Sequence, residues 1–184
     1  DGTLSPDLAA SYAVSEDQTT YTFTLKETAR FHDGTAVTAG DVAYTILAAE
    51  NPEIKSPRRA NWEGVDVTVV DEKTVSFTLK SPYALFLENT TMGILPEHIW
   101  STVQPEEFSF TTLNAEPIGS GPFEVEAVKR TRAGIPSEIH LRAFRSGARS
   151  PYIERVILKF YSNAESLRDA LMSGDVLSAH SINP

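Results

Sequence analysis

Few residues in this chain could support metal binding or catalysis, and the histidines are the first to consider. They stand at four separated positions, His32, His98, His140 and His180. No two of them are three or four residues apart, the spacing that places two imidazoles on one face of a helix. The sequence therefore predicts no metal site, and it indicates no cofactor.

Two other groups could take part in catalysis, but both are better explained as turns. His32 and Asp33 could form an acid–base pair, yet they lie in His-Asp-Gly-Thr, where Asp favours local hydrogen bonds and Gly34 accepts positive φ. Ser120 lies in Gly-Ser-Gly and lacks the Gly-x-Ser-x-Gly context of a hydrolase nucleophile. Pro122 and a predicted strand follow it, so the helix N-terminus of a phosphate site is missing as well. We predict no catalytic residue and no enzyme.

The composition is that of a globular protein with an acidic surface. The 184 residues carry a formal net charge of −9 and are 41% hydrophobic, so one domain or two small ones can build a core. The negative charge argues against nucleic acid, whose phosphates need lysine and arginine. No apolar run approaches the roughly 18 residues of a membrane span. Because the chain has no initiator Met, and no signal peptide is visible, we interpret it as a piece of a longer protein.

Basic residues and tryptophans offer two weaker signals. The cationic residues concentrate in one region, for which we predict a solvated face, with contact to an acidic partner as the alternative: Lys129, Arg130, Arg132, Arg142, Arg145 and Arg149. Trp100 is predicted to lie in the core. Trp62, which follows Arg58 and Arg59, either belongs to the core or lines a cleft.

The first two thirds of the chain predict strands and short helices. Tyr21, Phe23 and Leu25 alternate with threonines, as in a half-buried strand. Thr38 and Asp41 form a capping box for a helix that ends at Pro52. Period-two patterns at 65–69 and 75–79 predict a β-hairpin. Short helices are predicted at 83–88 and near 96–100, and a surface loop at 102–116.

The last third predicts a hairpin followed by a strand–helix–strand unit. Strands begin at Phe123 and near Ile139, joined by a loop at 129–136. Residues 156–160 are nearly all apolar, as in a strand covered on both faces. Ser162 and Glu165 predict a capping box for the next helix, and Gly174 its end. A last strand is predicted at Val176–Leu177, which would make the sheet mixed.

These segments, in this order, resemble the family-5 extracellular solute-binding proteins, the peptide, dipeptide and nickel receptors of bacterial ABC importers. The resemblance covers essentially the whole chain. It departs at Leu177, where the family usually has Asp, and at 145–149, where a Tyr-Trp pair is usual. The segments that carry it are Leu8-Ala9-Ala10-Ser11-Tyr12, Tyr21 to Leu25, Phe31-His32-Asp33-Gly34-Thr35, Thr38-Ala39-Gly40-Asp41-Val42, Pro117-Ile118-Gly119-Ser120-Gly121-Pro122-Phe123, Pro151-Tyr152-Ile153 and Leu171-Met172-Ser173-Gly174-Asp175-Val176.

The resemblance implies an α/β fold, a periplasmic-binding-protein-like lobe with a mixed sheet and a peripheral α+β subdomain. Residues 1–115 would be mostly the peripheral subdomain of lobe I. Residues 116–184 would be its sheet subdomain, ending near the hinge, and the second lobe would follow. By position in the family, these residues are expected to bind the ligand: Arg58, Arg59, Gly119, Ser120, Gly121, Ala179, His180 and Ser181; Trp62 joins them as the tryptophan that could line the cleft.

The function that the resemblance implies is capture of a peptide or related small solute for an ABC permease. Such a receptor works outside the cytoplasmic membrane, in the periplasm or on the cell surface. An alternative is the same fold used as a solute-sensing module of a regulator or chemosensory system. An enzyme is the third reading, and it would need an acid–base pair that the sequence does not offer.

Overall fold

A computed structural model describes residues 4–145 and 151–179 of the chain. Its first sheet has four antiparallel strands in the order β1-β2-β4-β3. Their alternating sequences place one side-chain face of the sheet toward the core, because successive residues of a strand point to opposite faces. The strands are β1 (Ala9–Val14), β2 (Thr20–Leu25), β3 (Val65–Val69) and β4 (Thr74–Leu79).

The core lies between this sheet and the helix α1 (Ala39–Glu50). Tyr21 of β2 pairs with Phe77 of β4, and both side chains are buried. Val42 and Ile46 of α1 belong to the same cluster. The half-buried strand, the β3–β4 hairpin and the apolar face of the helix are therefore confirmed.

Thr38 and Asp41 form the predicted capping box at the start of α1. The Thr38 hydroxyl accepts the backbone N–H of Asp41 at 3.2 Å, and the Asp41 carboxylate accepts the backbone N–H of Thr38 at 2.9 Å. Each bond satisfies a backbone group that the helix itself leaves open. The sequence thus identified both the start of the helix and its stabilising residues.

Three short helices follow α1, one before β3 and two between β4 and the second sheet. They are α2 (Arg59–Trp62), α3 (Phe86–Asn89) and α4 (Glu97–Trp100). The predicted helix at 83–88 is wrong in its bounds, because Tyr83 and Leu85 are exposed and the helix begins at Phe86, which is buried in the core with Leu87 packed beside it. The predicted loop at 102–116 contains two single turns of 3-10 helix, Pro105–Glu107 and Thr112–Asn114.

The second sheet has three antiparallel strands in the order β5-β6-β7. They are β5 (Phe123–Arg130), β6 (Pro136–Ala143) and β7 (Arg155–Lys159), and the helix α5 (Ala164–Ser173) follows. The β5–β6 hairpin is confirmed. Gly174 has φ 80° at the C-terminus of α5, as predicted.

Three expectations for this last part are corrected. The cap of α5 is Asn163, whose side chain accepts the N–H of Ser166, because the helix starts one residue later than a Ser162 cap requires. Ile157 and Leu158 point to opposite faces of β7 and are 53% and 43% exposed, so the described residues leave both faces uncovered. Leu177 is exposed and lies in no strand, and every described ladder is antiparallel, so the described residues contain no parallel pairing of a mixed sheet.

The basic residues of the second sheet are paired within the chain. Arg142 contacts Glu124 directly across the β5–β6 ladder at 2.7 Å, and Lys129 contacts Glu138 in the same way at 2.7 Å. Arg130 reaches Glu116 at 2.8 Å. Opposite charges facing each other across two strands stabilise their pairing. Much of the predicted basic face is thus neutralised by acidic neighbours; Arg149 lies outside the described residues.

Candidate functional site

The site is built where two distant turns of the chain meet. The backbone N–H of His32 donates to the carbonyl of Gly119 at 2.8 Å, and the N–H of Gly119 donates back to Nδ1 of His32 at 3.1 Å. Nε2 of His32 lies 3.0 Å from the carbonyl oxygen of Gly121. Since Nδ1 accepts the hydrogen bond from Gly119, Nε2 is the nitrogen that donates to the carbonyl of Gly121.

His32 also connects this turn to the second sheet. Its ring packs edge-on against Phe144, which follows β6, with ring centroids 4.9 Å apart. The N–H of Phe144 in turn donates to the carbonyl of Pro122 at 2.9 Å. Contacts with His32 on one side and with Phe144 on the other therefore hold the turn at 119–121, so the position of its backbone is fixed.

Asp33 does not act on His32, because its carboxylate has other partners. Oδ1 accepts the backbone N–H and the hydroxyl of Thr35, at 2.9 and 2.7 Å, and Oδ2 lies 2.7 Å from Nε2 of His98. Burial raises the pKa of Asp33, but the bonds from Thr35 and His98 outweigh it and the pKa is lowered. This arrangement agrees with the interpretation of His32 and Asp33 as residues of a turn. The two side chains do not form an acid–base pair with each other.

A cavity of about 560 Å³ opens beside the clamped turn. One wall is the inner face of the first sheet, with Phe23 and Phe77, and another is α1, with Val42 and Ile46. The 119–121 turn, with its half-buried Gly119 and Ser120, closes part of its edge. Pockets of this size, mostly apolar with a few polar groups, are typical of small-molecule sites.

Trp62 is the predicted site residue that lies deepest in this arrangement. It lines the cavity, yet it is only 1% exposed and its ring packs against Phe77 and Phe86, with centroids 5.7 and 5.8 Å apart. Its Nε1 is buried and has no hydrogen-bond partner among the described residues. Trp62 is therefore a core residue whose side chain also borders the cavity.

Four of the nine predicted ligand residues meet at this cavity, namely Trp62, Gly119, Ser120 and Gly121. Arg58 and Arg59 are exposed at the start of α2 and are not among its lining residues. Ala179 is exposed and does not line it either. His180 and Ser181 lie outside the described residues. A role in ligand binding stays a prediction for all nine.

Two segments that no sequence pattern singled out complete the cavity. Residues 90–94, between α3 and α4, contribute Met92 and Gly93, and residues 4–9 contribute the wall before β1. Residues 90–93, Thr-Thr-Met-Gly, could have been singled out because they form a loop between two predicted helices, and binding residues often lie on such loops. The composition of residues 4–9 does not distinguish them from the residues that precede any ordinary β-strand.

Within residues 4–145 and 151–179, no group of three or more His, Cys, Asp or Glu side chains could hold a metal ion. In the same ranges no helix is both long and apolar enough to cross a bilayer.

Comparison with known proteins decides the family. The model of the bacterial extracellular solute-binding proteins, family 5 (Middle), matches residues 3–184. The chain belongs to this family. The match covers all of the described residues, so both sheets and the cavity between β2, β4 and α1 lie inside the family's region.

Relatives and solved structures of the family agree with this assignment. A protein from Brucella ovis, named for an ABC transporter peptide-binding function, is 32% identical over 176 residues, which are 92% of this chain and 32% of that protein. NikZ from Campylobacter jejuni, solved with Ni(L-His), gives a TM-score of 0.82 at 28% identity, covering 95% of this chain and 34% of NikZ. AppA from Bacillus subtilis, solved with a nonapeptide, gives 0.80 at 28% identity, covering 92% and 34%.

The family-5 chain thus spans about a third of the length of the curated relatives it matches. Its α/β, periplasmic-binding-protein-like fold is that of the family, as the sequence predicted.

Proposed function

We propose that this chain is part of the first lobe of a receptor that captures peptides or a related small solute for a bacterial ABC importer. The observation that carries the proposal is the family match over residues 3–184. The name of the Brucella ovis relative and the nonapeptide bound to AppA support peptides as the solute class.

In this proposal residues 1–115 form mostly the peripheral subdomain and residues 116–184 the sheet subdomain of that lobe. The division between the two sheets, after β4 and before β5, supports the boundary. A second lobe, from the remaining two thirds of a full-length receptor, would close over the ligand. Closure would follow from the ligand's better contacts in the closed state.

The proposed receptor binds its solute without chemistry. His32 and Asp33 are the residues most suited to acid–base catalysis, and both are engaged in the turn contacts described above. Ser120 lies in the turn that His32 holds. The protein would act in the periplasm or at the cell surface, next to the permease subunits that receive the solute.

The direct test uses the full-length receptor encoded by the parent gene. Native mass spectrometry of the protein purified from its host should show a co-purifying solute, and calorimetry with peptides should give saturable binding. The isolated chain offers only one side of the cleft, so it should bind peptides weakly or not at all. Micromolar peptide affinity for the isolated chain, or a full-length protein that binds no solute, would contradict the proposal.

A further inference from the structure

The second sheet ends in a strand with an open edge. Among the described residues, β7 is the last strand of the order β5-β6-β7 and pairs only with β6. The backbone N–H of Phe160, just after β7, donates to the carbonyl of Ser137 on β6 at 3.0 Å. Because backbone groups of successive strand residues point to alternate sides, those of Leu158 also face β6 and those of Ile157 face away. The N–H and C=O of Ile157 thus form the middle of the open edge.

One face of the same sheet is apolar across all three strands. Val128, Ile139 and Leu158 lie side by side in register on β5, β6 and β7. Val128 and Ile139 are only half-buried, and Leu158 and Phe160 are 43% and 54% exposed. In the first sheet, by contrast, Phe77 is buried in the core. The described residues therefore cover the apolar face of the second sheet only in part.

The edge of β7 also lacks the features that usually keep edge strands apart. Natural edges are protected by proline, by bulges or by charged side chains. β7 contains no proline and pairs with β6 without a register shift. Its charged residues stand at its two ends. Arg155 contacts Glu126 at 3.5 Å, and Lys159 donates to the carbonyl of Asp175 at 3.3 Å. The apolar centre of the strand is thus left accessible to another strand.

We infer that the open edge and the apolar face at β7 form an interface for a further strand of the full-length receptor, from the part of it outside these 184 residues. The inference rests on the proposed function, which makes the chain a piece of a longer receptor. The length of the relatives favours this occupant, because the chain spans 32% of the Brucella ovis protein and 34% of NikZ. A segment of the same polypeptide has a high effective concentration, so it occupies the edge in preference to a second molecule.

The incoming strand is recognised through its backbone and through one of its faces. Its main-chain groups bond to the N–H and C=O of Ile157, as in other cases of strand addition to a sheet edge. Apolar residues on one face of it continue the layer of Leu158 and Phe160 and remove that layer from water. The pairing therefore combines main-chain hydrogen bonds with hydrophobic burial.

Amide hydrogen exchange at single-residue resolution, in the unmodified full-length receptor, tests the edge. The N–H of Leu158 faces β6 and is the internal reference. If a strand covers the edge, the N–H of Ile157 is bonded as well, and we expect it to exchange about as slowly as that of Leu158. An Ile157 amide that exchanges roughly a hundredfold or more faster than the Leu158 amide would overturn the inference.

Thiol labelling tests the apolar face. The 184 residues contain no cysteine, so Leu158→Cys places a single thiol in a receptor that has no other. The control is Leu47→Cys, because Leu47 is 58% exposed on α1, away from the second sheet. We expect the thiol at position 158 to react with a maleimide roughly tenfold or more slowly than the thiol at position 47, since a covered thiol is inaccessible. Similar rates for the two thiols would contradict the inference.

Two further measurements separate the occupants and the two proposals. Sedimentation velocity should show a monomer in which Ile157 and Leu158 are protected at every concentration. Protection that appears only with dimer formation would assign the edge to a second copy and refute the inference. Calorimetry tests the proposed function independently: a receptor that binds solute with an open edge refutes the inference alone, and one that binds no solute with a covered edge refutes the proposed function alone.

Discussion

The imidazole of His32 bridges two segments that lie 87 residues apart in the chain. It accepts from Gly119 and donates to Gly121, so both ring nitrogens are used and neither is free for chemistry. An added Cβ at Gly119 would lie 3.4 Å from Cε1 of His32, an ordinary van der Waals contact, so the ring packs closely on this turn. The residue with the most versatile chemistry in the chain is thus a structural link.

His32→Ala should destabilise the chain by about 1–3 kcal/mol, because the N–H of Gly119 and the carbonyl of Gly121 lose their partner. Urea denaturation measures the loss, and hydrogen exchange at Gly119 should accelerate. His98→Ala is the matched control: its side chain is 44% exposed, so the loss of its contact with Asp33 should cost less than about 1 kcal/mol. Equal costs for the two variants would contradict the bridging role.

Glu138 gives the chain a pH-dependent contact. The hydrogen bond from Lys129, followed by that from His140, lowers its pKa from an ordinary 4.5 to about 2. A lowered pKa stabilises the folded state above pH 4.5, and the contribution is lost as pH falls from 4.5 toward 2. The stability difference between the unmodified chain and Glu138→Gln should therefore be constant above about pH 5 and shrink through this window.

Urea denaturation across the pH range measures this difference, and carbon-13 detection of the Glu138 carboxyl locates the titration itself. A carboxyl midpoint close to 4.5, the ordinary value, would show that Lys129 and His140 do not hold the carboxylate.

At the scale of elements, α1 organises the first sheet and the loops beyond it. Its buried Asp41 caps the helix through Thr38 and also accepts the backbone N–H of Glu97 at 2.9 Å, where α4 begins. Thr45, one turn later, donates to the carbonyl of Asp41 and accepts the N–H of Leu95 at 2.9 Å. Two polar side chains on one buried helix face thus fix the segment at 95–97, next to the cavity.

Asp41→Ala should destabilise the chain by about 2–4 kcal/mol, since it removes a capping box and leaves the N–H of Glu97 unpaired. Thr38→Ala removes only the cap and should cost about 1 kcal/mol. Thermal and urea denaturation of both variants give the comparison. The prediction fails if Asp41→Ala costs no more than Thr38→Ala, because the contact with α4 would then contribute nothing.

At the scale of the whole molecule, the two sheets differ in how well they are covered. The first has a core with Phe31, Val37 and Ile46 at or below 1% exposure. The second exposes large apolar side chains on and just after β7, namely Ile157, Leu158 and Phe160. Leu158 and Phe160 fall on one face and Ile157 on the other, and exposed apolar surface of this kind usually marks an interface. We expect these faces to be covered in a full-length receptor.

The isolated chain should therefore self-associate through its second sheet. Replacing Leu158 and Phe160, which the alternation of the strand places on one face and which are 43% and 54% exposed, with threonine and serine should raise the dissociation constant of self-association by roughly tenfold or more, measured by sedimentation velocity. Leu47→Ser is the control, because Leu47 is 58% exposed on α1, away from this patch. If both changes act equally, association does not use the second sheet.

Local patterns predicted most elements because their causes are local. The alternation in β2, the Thr38–Asp41 box and Gly174 each depend on residues within a few positions of one another. The bounds of α3 and the cap of α5 were missed, since burial of Phe86 and a one-residue shift at Asn163 decided them. Coverage of β7 also could not be derived from its composition, because an apolar strand is covered only where another layer packs on it.

The sequence by itself determined the family, the first sheet with its capped helix, and Gly119, Ser120, Gly121 and Trp62 as candidates near a ligand. Ordered motifs and short-range hydrogen bonding suffice for these. Only the tertiary structure decided that His32 holds the 119–121 turn, that Trp62 shares a cavity with it, and that Arg58, Arg59 and Ala179 lie elsewhere. Those facts depend on contacts between residues far apart in the chain, and such contacts leave no periodic signal in the sequence.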